Sequence, residues 1–440
     1  MERIAIEKLI EWKNGKDRQP LILKGSRQVG KTWLLKEFGR NAFKDVYYAN
    51  FEQTDMSGVF DGELSPPRII EYLSALHGRK IIPHETLLIF DEIQELPRAL
   101  TSLKYFAEEA PEYAICCAGS HLGIALHEGT SFPVGKVDVM ELFPMSFEEF
   151  LLAEGLGALV NLVKAQPESV NAPAVAEKLS DRLRHYFVIG GMPKAVSKWI
   201  ETRDHSAVQK IQNSILDNYA DDFSKHVPRS IQTKVSYIWE SLPTQLAREN
   251  RKFLYGLVRT GARAREYESA LLWLRDMGFV RPTYRIDKPK IPLKAYADLK
   301  SFKLFALDIG LLSKLSGLSP GVVASGNTMF SEFKGSLTEQ YVFGELMKSD
   351  VVQDIHYWTS NGTAEVDFVI SSNGEVIPVE VKSEKNLKAK SLQVYRKSFA
   401  PKISVRASMA GFRVDDGLVN IPLYALFNFG NCLRQASQAR

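Results

Sequence analysis

The sequence predicts an α/β protein in three parts: an α/β domain with a mainly parallel sheet over residues 1–150, a helical region over 151–320, and a second α/β domain over 321–440. Three observations carry this. Short apolar runs alternate with amphipathic stretches through the first part, the pattern of strands joined by crossover helices. From about residue 146 the periodicity becomes helical, in segments such as AVAEKLSDRLRHYFVIGG and AVQKIQNSILDNYADDF. Near the end, EVDFVISSNGEVIPVEVK at 365–382 carries two β-rich runs about an Asn-Gly pair, the strongest short hairpin signal.

Composition narrows the class. The 440 residues suit two to four domains of about 150 residues each. A hydrophobic fraction of 45% and a charged fraction of 25% exclude a disordered or fibrous chain. The net charge of +4 creates no global field for nucleic acid, so contacts with DNA must come from local patches. Cys116, Cys117 and Cys432 are too few for a disulfide scaffold or a zinc finger, and neighbours in a strand point to opposite faces. The charged N-terminus lacks the apolar core of a signal peptide, and no apolar run approaches the roughly 20 residues that cross a bilayer. A cytoplasmic protein with no membrane partner is the expectation.

In the first part the strands are expected at Leu21–Lys24, Asp45–Phe51, Thr86–Phe90, Tyr113–Ala118 and Val137–Leu142. Between the first strand, LILK, and a helix beginning WLLKEF lies GSRQVGKT at 25–32, which fits G-x-x-x-x-G-K-T at every position. Gly25 and Gly30 permit a tight loop, and the backbone of Ser26, Arg27, Gln28 and Val29 cradles phosphate oxygens. Lys31 places a point charge at the β- and γ-phosphates, and the Thr32 hydroxyl can ligate Mg²⁺. ATP and Mg²⁺ are the cofactors this implies. The third strand, LLIFDE, delivers Asp91 and Glu92 at its carboxyl end, where a parallel sheet places ligands. Asp91 would hold the Mg²⁺ through water, and Glu92 would polarise the attacking water. Ser120, after AICCAG, would sense the γ-phosphate; the alternative is a plain Gly-Ser turn.

In the middle part, TQLARENRKFLYGLVRTGARAR at 244–265 carries Arg248, Arg251, Lys252, Arg259, Arg263 and Arg265, with Arg275 beyond. With REYESALLWLRDMGFV and the extended YRIDKPKIPLKAY it reads as a helix–turn–helix with a β wing, able to meet DNA. A solvated basic face or a docking or oligomer element are the alternatives.

The last part begins with a helix at Ser336–Lys348 and strands around Ile355–Thr359, Ala364–Ser371 and Glu375–Lys382. If Asn373-Gly374 closes a two-residue turn, Val366 faces Val381, Phe368 faces Val379 and Ile370 faces Ile377, all on one side. Asp367 then faces Glu380, and Glu365 faces Lys382. Opposed carboxylates repel by about 0.2–1 kcal/mol in a solvated sheet. A divalent hard cation would make the pair favourable. Lys382 could balance charge on a scissile phosphate or attacking water, and Glu339, on the preceding helix, could add a metal ligand. The competing reading is a solvated acidic face with Lys382 paired to Glu365. Lys382, Lys385, Lys388, Lys390, Arg396 and Lys397 form a second basic cluster beside it.

Asp367, Glu380 and Lys382 in D-x(12)-E-x-K, with Glu339 as helix acid, resemble the PD-(D/E)XK nuclease core, and Gln393 and Tyr395 loosely match its extra motif. Taken with GSRQVGKT, LIFDEIQ, CAGS, FPMSFEEF (143–150), YFVIGGMPKAV (186–196) and KLFALDIGLL (303–312), nearly the whole chain resembles the bacterial and archaeal AAA-like ATPases that end in a domain of unknown function with nuclease-like motifs. The resemblance implies an additional-strand P-loop ATPase, a helical and winged-helix middle and a restriction-endonuclease-like end. Gly135-Lys136 stands where that family often has Gly-Arg before the fifth strand, and lysine cannot make arginine's planar bidentate contact. The function expected is a Mg²⁺-dependent ATPase coupled to a winged helix and a nuclease-like domain and acting on DNA, with homo-oligomerisation open to it. The alternative is an ATP-controlled switch or scaffold whose C-terminal fold binds a partner without cutting.

Overall fold

The computed structural model describes residues 2–119, 133, 135–246, 252–321, 331–360, 364–384 and 389–438. Ser120, Arg248, Arg251, Lys385 and Lys388 lie outside the described residues. The chain forms two compact units, one of residues 2–143 with 276–278, the other of 144–275 with 279–440.

In the first unit the strands are β1 (Leu21–Lys24), β2 (Asp45–Asn50), β3 (Thr86–Asp91), β4 (Ala114–Ala118) and β5 (Asp138–Glu141). They form one parallel sheet in the order β2-β3-β4-β1-β5. Every residue of β3 and β4 is buried, which is why both read as unbroken apolar runs. Each face carries its own core. Cys117 packs with Ile22, Leu88 and Phe90, whereas Cys116 packs with Leu21, Leu34 and Phe38, so the adjacent thiols do point apart. Insertion of β4 between β1 and β3 aligns their carboxyl ends: Leu23 pairs with Ala118, and Ala118 with Asp91.

The second unit opens with helices, among them Pro173–Ile189, His205–His226, Gln232–Leu246 and Ala264–Asp276. Its strands are β6 (Val280–Ile286), β7 (Ala297–Ala306), β8 (Asp354–Thr359), β9 (Glu365–Ser372), β10 (Glu375–Val381), β11 (Ser404–Ser408), β12 (Arg413–Asp415) and β13 (Leu418–Pro422). All eight join one mixed sheet in the order β12-β13-β11-β10-β9-β8-β6-β7. The β6–β7 hairpin follows two helices in chain order, as a wing would, yet β6 also pairs in parallel with β8. Residues on both sides of position 320 therefore share a sheet.

The hairpin keeps the expected register from its turn to the Phe368–Val379 pair, but the expected Val366–Val381 and Asp367–Glu380 pairs do not form: Val366 pairs with Trp358, Val381 with Ala407 and Glu380 with Arg406. Ile370 faces Ile377 and Phe368 faces Val379, and Asn373 and Gly374 both take positive φ, 48° and 77°. The Phe368 ring lies 5.6 Å from that of Phe305 on β7 and 6.2 Å from Phe343 on the helix Ser331–Lys348.

Three of the resemblance segments meet in a buried polar knot. The Gly191 amide donates to Asp308 Oδ2 at 2.6 Å, and the Met145 amide donates to the Gly191 carbonyl at 2.7 Å. A Cβ at Gly191 would run into the Met145 carbonyl, so only glycine fits this approach. Asp308 also caps the helix Ile309–Leu315 through the Leu311 amide at 2.9 Å, and the Tyr186 hydroxyl donates to the Met145 carbonyl at 2.6 Å. Burial pushes the Asp308 carboxyl up, and its amide donors oppose that. These motifs hold the unit together.

Candidate functional site

Two constellations collect the residues singled out in the sequence. The first lies at the carboxyl ends of β1 and β3. After β1 the chain turns through Gly25, where a Cβ would collide with the Leu142 carbonyl, and Gly30 at φ 95° opens the helix Lys31–Ala42. Lys31 folds back so that Nζ donates to the carbonyls of Gly25 at 2.7 Å and Ser26 at 3.0 Å. Burial pulls its ammonium down to about 8, while the Glu92 and Asp91 carboxylates hold it up. A buried cation resting on carbonyl oxygens is poised for an anion.

Thr32 Oγ1 donates to Asp91 Oδ2 at 2.7 Å, so the two expected Mg²⁺ ligands are adjacent although 59 positions apart in sequence. The same carboxylate oxygen accepts from Tyr48 on β2 at 2.9 Å. Tyr48 escaped the sequence reading because nothing local distinguishes it; only the strand order sets β2 beside β3. Burial pushes its phenol up to about 12, so it remains a donor. Hard oxygen donors at the foot of a phosphate loop match what Mg²⁺ takes. Glu92 sits at φ 51°, a left-handed conformation costing a non-glycine residue about 1–2 kcal/mol, and Gln94 Nε2 donates to its Oε2 at 2.7 Å. Strain at such a position is characteristic of functional sites. Gln28 likewise takes positive φ, 66°, and its Oε1 is buried without a partner among the described residues. Lys136 is tied to Glu108 at 3.0 Å.

The second constellation lies where β9 and β10 part. Their ladder runs from the turn to the Phe368–Val379 pair. Beyond it, β9 continues beside β8, while Glu380 pairs in register with Arg406 on β11. Asp367 Oδ2 accepts from the Val381 amide at 2.7 Å across the fork. Glu380 is buried; its Oε1 meets Lys382 Nζ at 2.7 Å, and its Oε2 has no hydrogen-bond partner among the described residues. Burial, then the charge of Asp367, raises the Glu380 carboxyl above its ordinary value, against the pull of Lys382 and Lys303.

Two expectations change here. The Glu365–Lys382 pairing does not form: the fork turns Lys382 to Glu380, and Glu365 Oε1 meets Lys303 Nζ at 2.6 Å. Nor does Glu339 gather with Asp367 and Glu380. Among the described residues no three His, Cys, Asp or Glu side chains form a metal-holding group, and Glu339 Oε2 lies 3.4 Å from Lys303 Nζ. Lys303, on β7, is fully buried and lies 5.1 Å over the Tyr357 ring. The sequence did carry a signal for it: a lysine inside SFKLFALDIGLL needs carboxylate partners if that run is a buried strand. Tyr395 packs its ring 5.2 Å from Trp358, holding the helix Lys390–Phe399 on the sheet, while Gln393 faces solvent. Of the basic residues, Arg259, Arg263, Arg265, Lys390 and Lys397 are exposed.

Residues 17–151 match the family model of the AAA domain. Residues 180–321 and 334–426 match the models of two domains of unknown function, DUF8612 and DUF4143. No curated protein matches the chain in sequence. Among solved structures, the Walker-type ATPase of Pyrococcus abyssi aligns at 15% identity and a TM-score of 0.43, over 71% of this chain and 95% of its own. The Aeropyrum pernix ORC2 protein, in ADPNP and ADP complexes, aligns at 13% identity and 0.34, over 74% and 95%. The Thermotoga maritima RuvB branch-migration motor aligns at 15% and 0.26, over 64% and 90%. The AAA-domain match falls on the parallel five-stranded sheet and its phosphate loop. No helix among the described residues is long and apolar enough to cross a membrane.

Proposed function

We propose that the chain is a Mg²⁺-dependent ATPase acting on DNA, with its nucleotide site at residues 25–32, Asp91 and Glu92 and a nuclease-like site at Asp367, Glu380 and Lys382. The 2.7 Å contact between Thr32 and Asp91 is the observation that carries the nucleotide half. Mg²⁺, when bound, neutralises charge on the phosphates. Lys31 exchanges its two carbonyl partners for phosphate oxygens, and the amides from Gly25 to Thr32 orient the chain of phosphates. Glu92, steadied by Gln94, accepts a proton from the attacking water, and Ser120, two positions after β4 in the sequence, is assigned the reading of the γ-phosphate. Glu92→Gln is expected to keep ATP binding and lose about 10²–10⁴-fold in turnover, the usual weight of a general base. ATP hydrolysis at the wild-type rate would remove Glu92 from the mechanism.

The C-terminal half rests on Glu380, whose Oε2, buried and without a hydrogen-bond partner among the described residues, suits a divalent cation. Lys382 would steady the attacking water or the scissile phosphate. The helices Gln232–Leu246 and Ala264–Asp276 with the β6–β7 hairpin are read as a winged helix, with Arg259, Arg263 and Arg265 facing DNA phosphates. Plasmid nicking with Mg²⁺ or Mn²⁺ tests the site: wild type should nick, and Asp367→Ala should not. Identical behaviour of the two proteins would end the nuclease reading.

One observation favours the second reading, an ATP-controlled switch or scaffold whose C-terminal domain binds a partner without cutting. Lys303 and Lys382 already counter Glu339, Glu365 and Glu380. A site balanced by its own lysines can fold and bind without any metal.

A further inference from the structure

The strand register places a row of polar side chains beside the nuclease-like site. Glu380 on β10 pairs with Arg406 on β11, Arg406 with Asn420 on β13, and Asn420 with Arg413 on β12. Residues paired directly across strands share a face, so this row runs from the carboxylate fork to the sheet edge on one surface. Strands lie about 4.8 Å apart, so three steps from Glu380 to Arg413 span about 14 Å. That is about four nucleotide steps of one duplex strand, at about 3.4 Å each.

The outer part of the row is open. Arg406, Phe412, Arg413, Asp415, Leu418 and Asn420 line a cavity of about 490 Å³. Its floor is braced: Asn420 Nδ2 donates to the carbonyls of Ala410 at 3.0 Å and Gly411 at 2.7 Å, and Asn420 Oδ1 accepts from Arg406 Nε at 3.0 Å and Ser408 Oγ at 2.8 Å. Arg413 reaches Asp415 at 2.9 Å but is 72% exposed. Burial first, and the charge of Arg413 second, disfavour the Arg406 guanidinium, which Glu380 in turn supports. Two guanidinium groups sharing one cavity repel, and a bound polyanion relieves that repulsion while meeting their fork geometry.

We propose that Arg406 and Arg413 form a phosphodiester track that leads a nucleic-acid strand to the Asp367–Glu380 fork. This rests on the reading of the C-terminal unit as a nucleic-acid site and names the surface that holds the backbone. The contacts assigned to the two arginines are to phosphates, which position a strand and carry no sequence information.

The test is fluorescence anisotropy of a short labelled DNA duplex with the full-length protein across a salt series. R406Q/R413Q should bind more weakly, and the slope of log K against log salt should flatten by about 1.8, about 0.9 for each phosphate that no longer meets an arginine. R413Q alone changes only an exposed side chain and should flatten it by about 0.9, which keeps the test valid should R406Q misfold. Unchanged slopes, or a wild type that binds no duplex, would overturn the track. So would variants that lose only inorganic phosphate binding. Asp367→Ala, carried in parallel, separates the two ideas. If wild type binds along the row but never nicks, the track stands and the nuclease reading falls. If wild type nicks, Asp367→Ala does not, and R406Q/R413Q nicks and binds as wild type does, the track falls alone.

Discussion

Lys303→Ala is expected to destabilise the second unit by about 3–5 kcal/mol, the usual cost of breaking a buried ion pair from one side. Lys303 is fully buried between Glu365 at 2.6 Å and Glu339 at 3.4 Å. Its removal leaves the buried Glu339 carboxylate without that cation, in surroundings that solvate charge poorly. The expected measurement is a marked fall in the denaturant midpoint of the transition that reports the eight-stranded sheet. Neutralising the acids as well, in Lys303→Met with Glu339→Gln and Glu365→Gln, should recover part of the loss, because an apolar or neutral set needs no counter-charge. A single variant as stable as wild type would show that the lysine is not the counter-ion that its geometry describes.

The second large effect concerns Lys31. Lys31→Ala should weaken ATP binding about 10–100-fold, since hydrogen bonds to charged groups contribute about 1.5–3 kcal/mol. Turnover should fall further, because the same ammonium meets charge that develops on the phosphates. The nucleotide-free protein should behave differently. There the Lys31 ammonium is buried, pulled down to about 8, and held by two carbonyls, so its loss should leave the apo melting temperature unchanged or raised. Tight nucleotide binding by Lys31→Ala in equilibrium dialysis would overturn the assignment of the loop.

The two halves of the molecule differed in how openly they could be read. The strand expected at Leu21–Lys24 has those same bounds in the structure, and Asp45–Phe51 and Thr86–Phe90 shift by a single residue. Strands buried on both faces between amphipathic helices announce themselves, because burial dictates the composition of each residue in them. The hairpin was legible near its turn, where Asn373-Gly374 fixes Ile370 opposite Ile377 and Phe368 opposite Val379; Val369, buried on the other face, and the fork beyond Phe368 were not.

By contrast, β11, β12 and β13 were not foreseen. SVRAS and LVNIP are only five residues each, and become strands because β10 offers an edge to β11 and β11 in turn offers one to β13. The extended stretch after Phe279 was expected to form a wing, and part of it does form the β6–β7 hairpin. Its parallel pairing with β8, about 70 residues on, is a contact no local pattern encodes.

What the chain declares by itself is therefore local: a phosphate loop, an acid at the end of a buried strand, and a hairpin with its register, each set by spacing and by which side chains must leave water. What only the tertiary structure decided is which charges meet. Tyr48 reaches Asp91, Lys303 takes Glu339 and Glu365, and Arg406 stands beside Glu380, because strand order and the fork between β9 and β10 bring distant positions together. Electrostatic partners act through distance and dielectric, and neither exists along a sequence until the sheet is built.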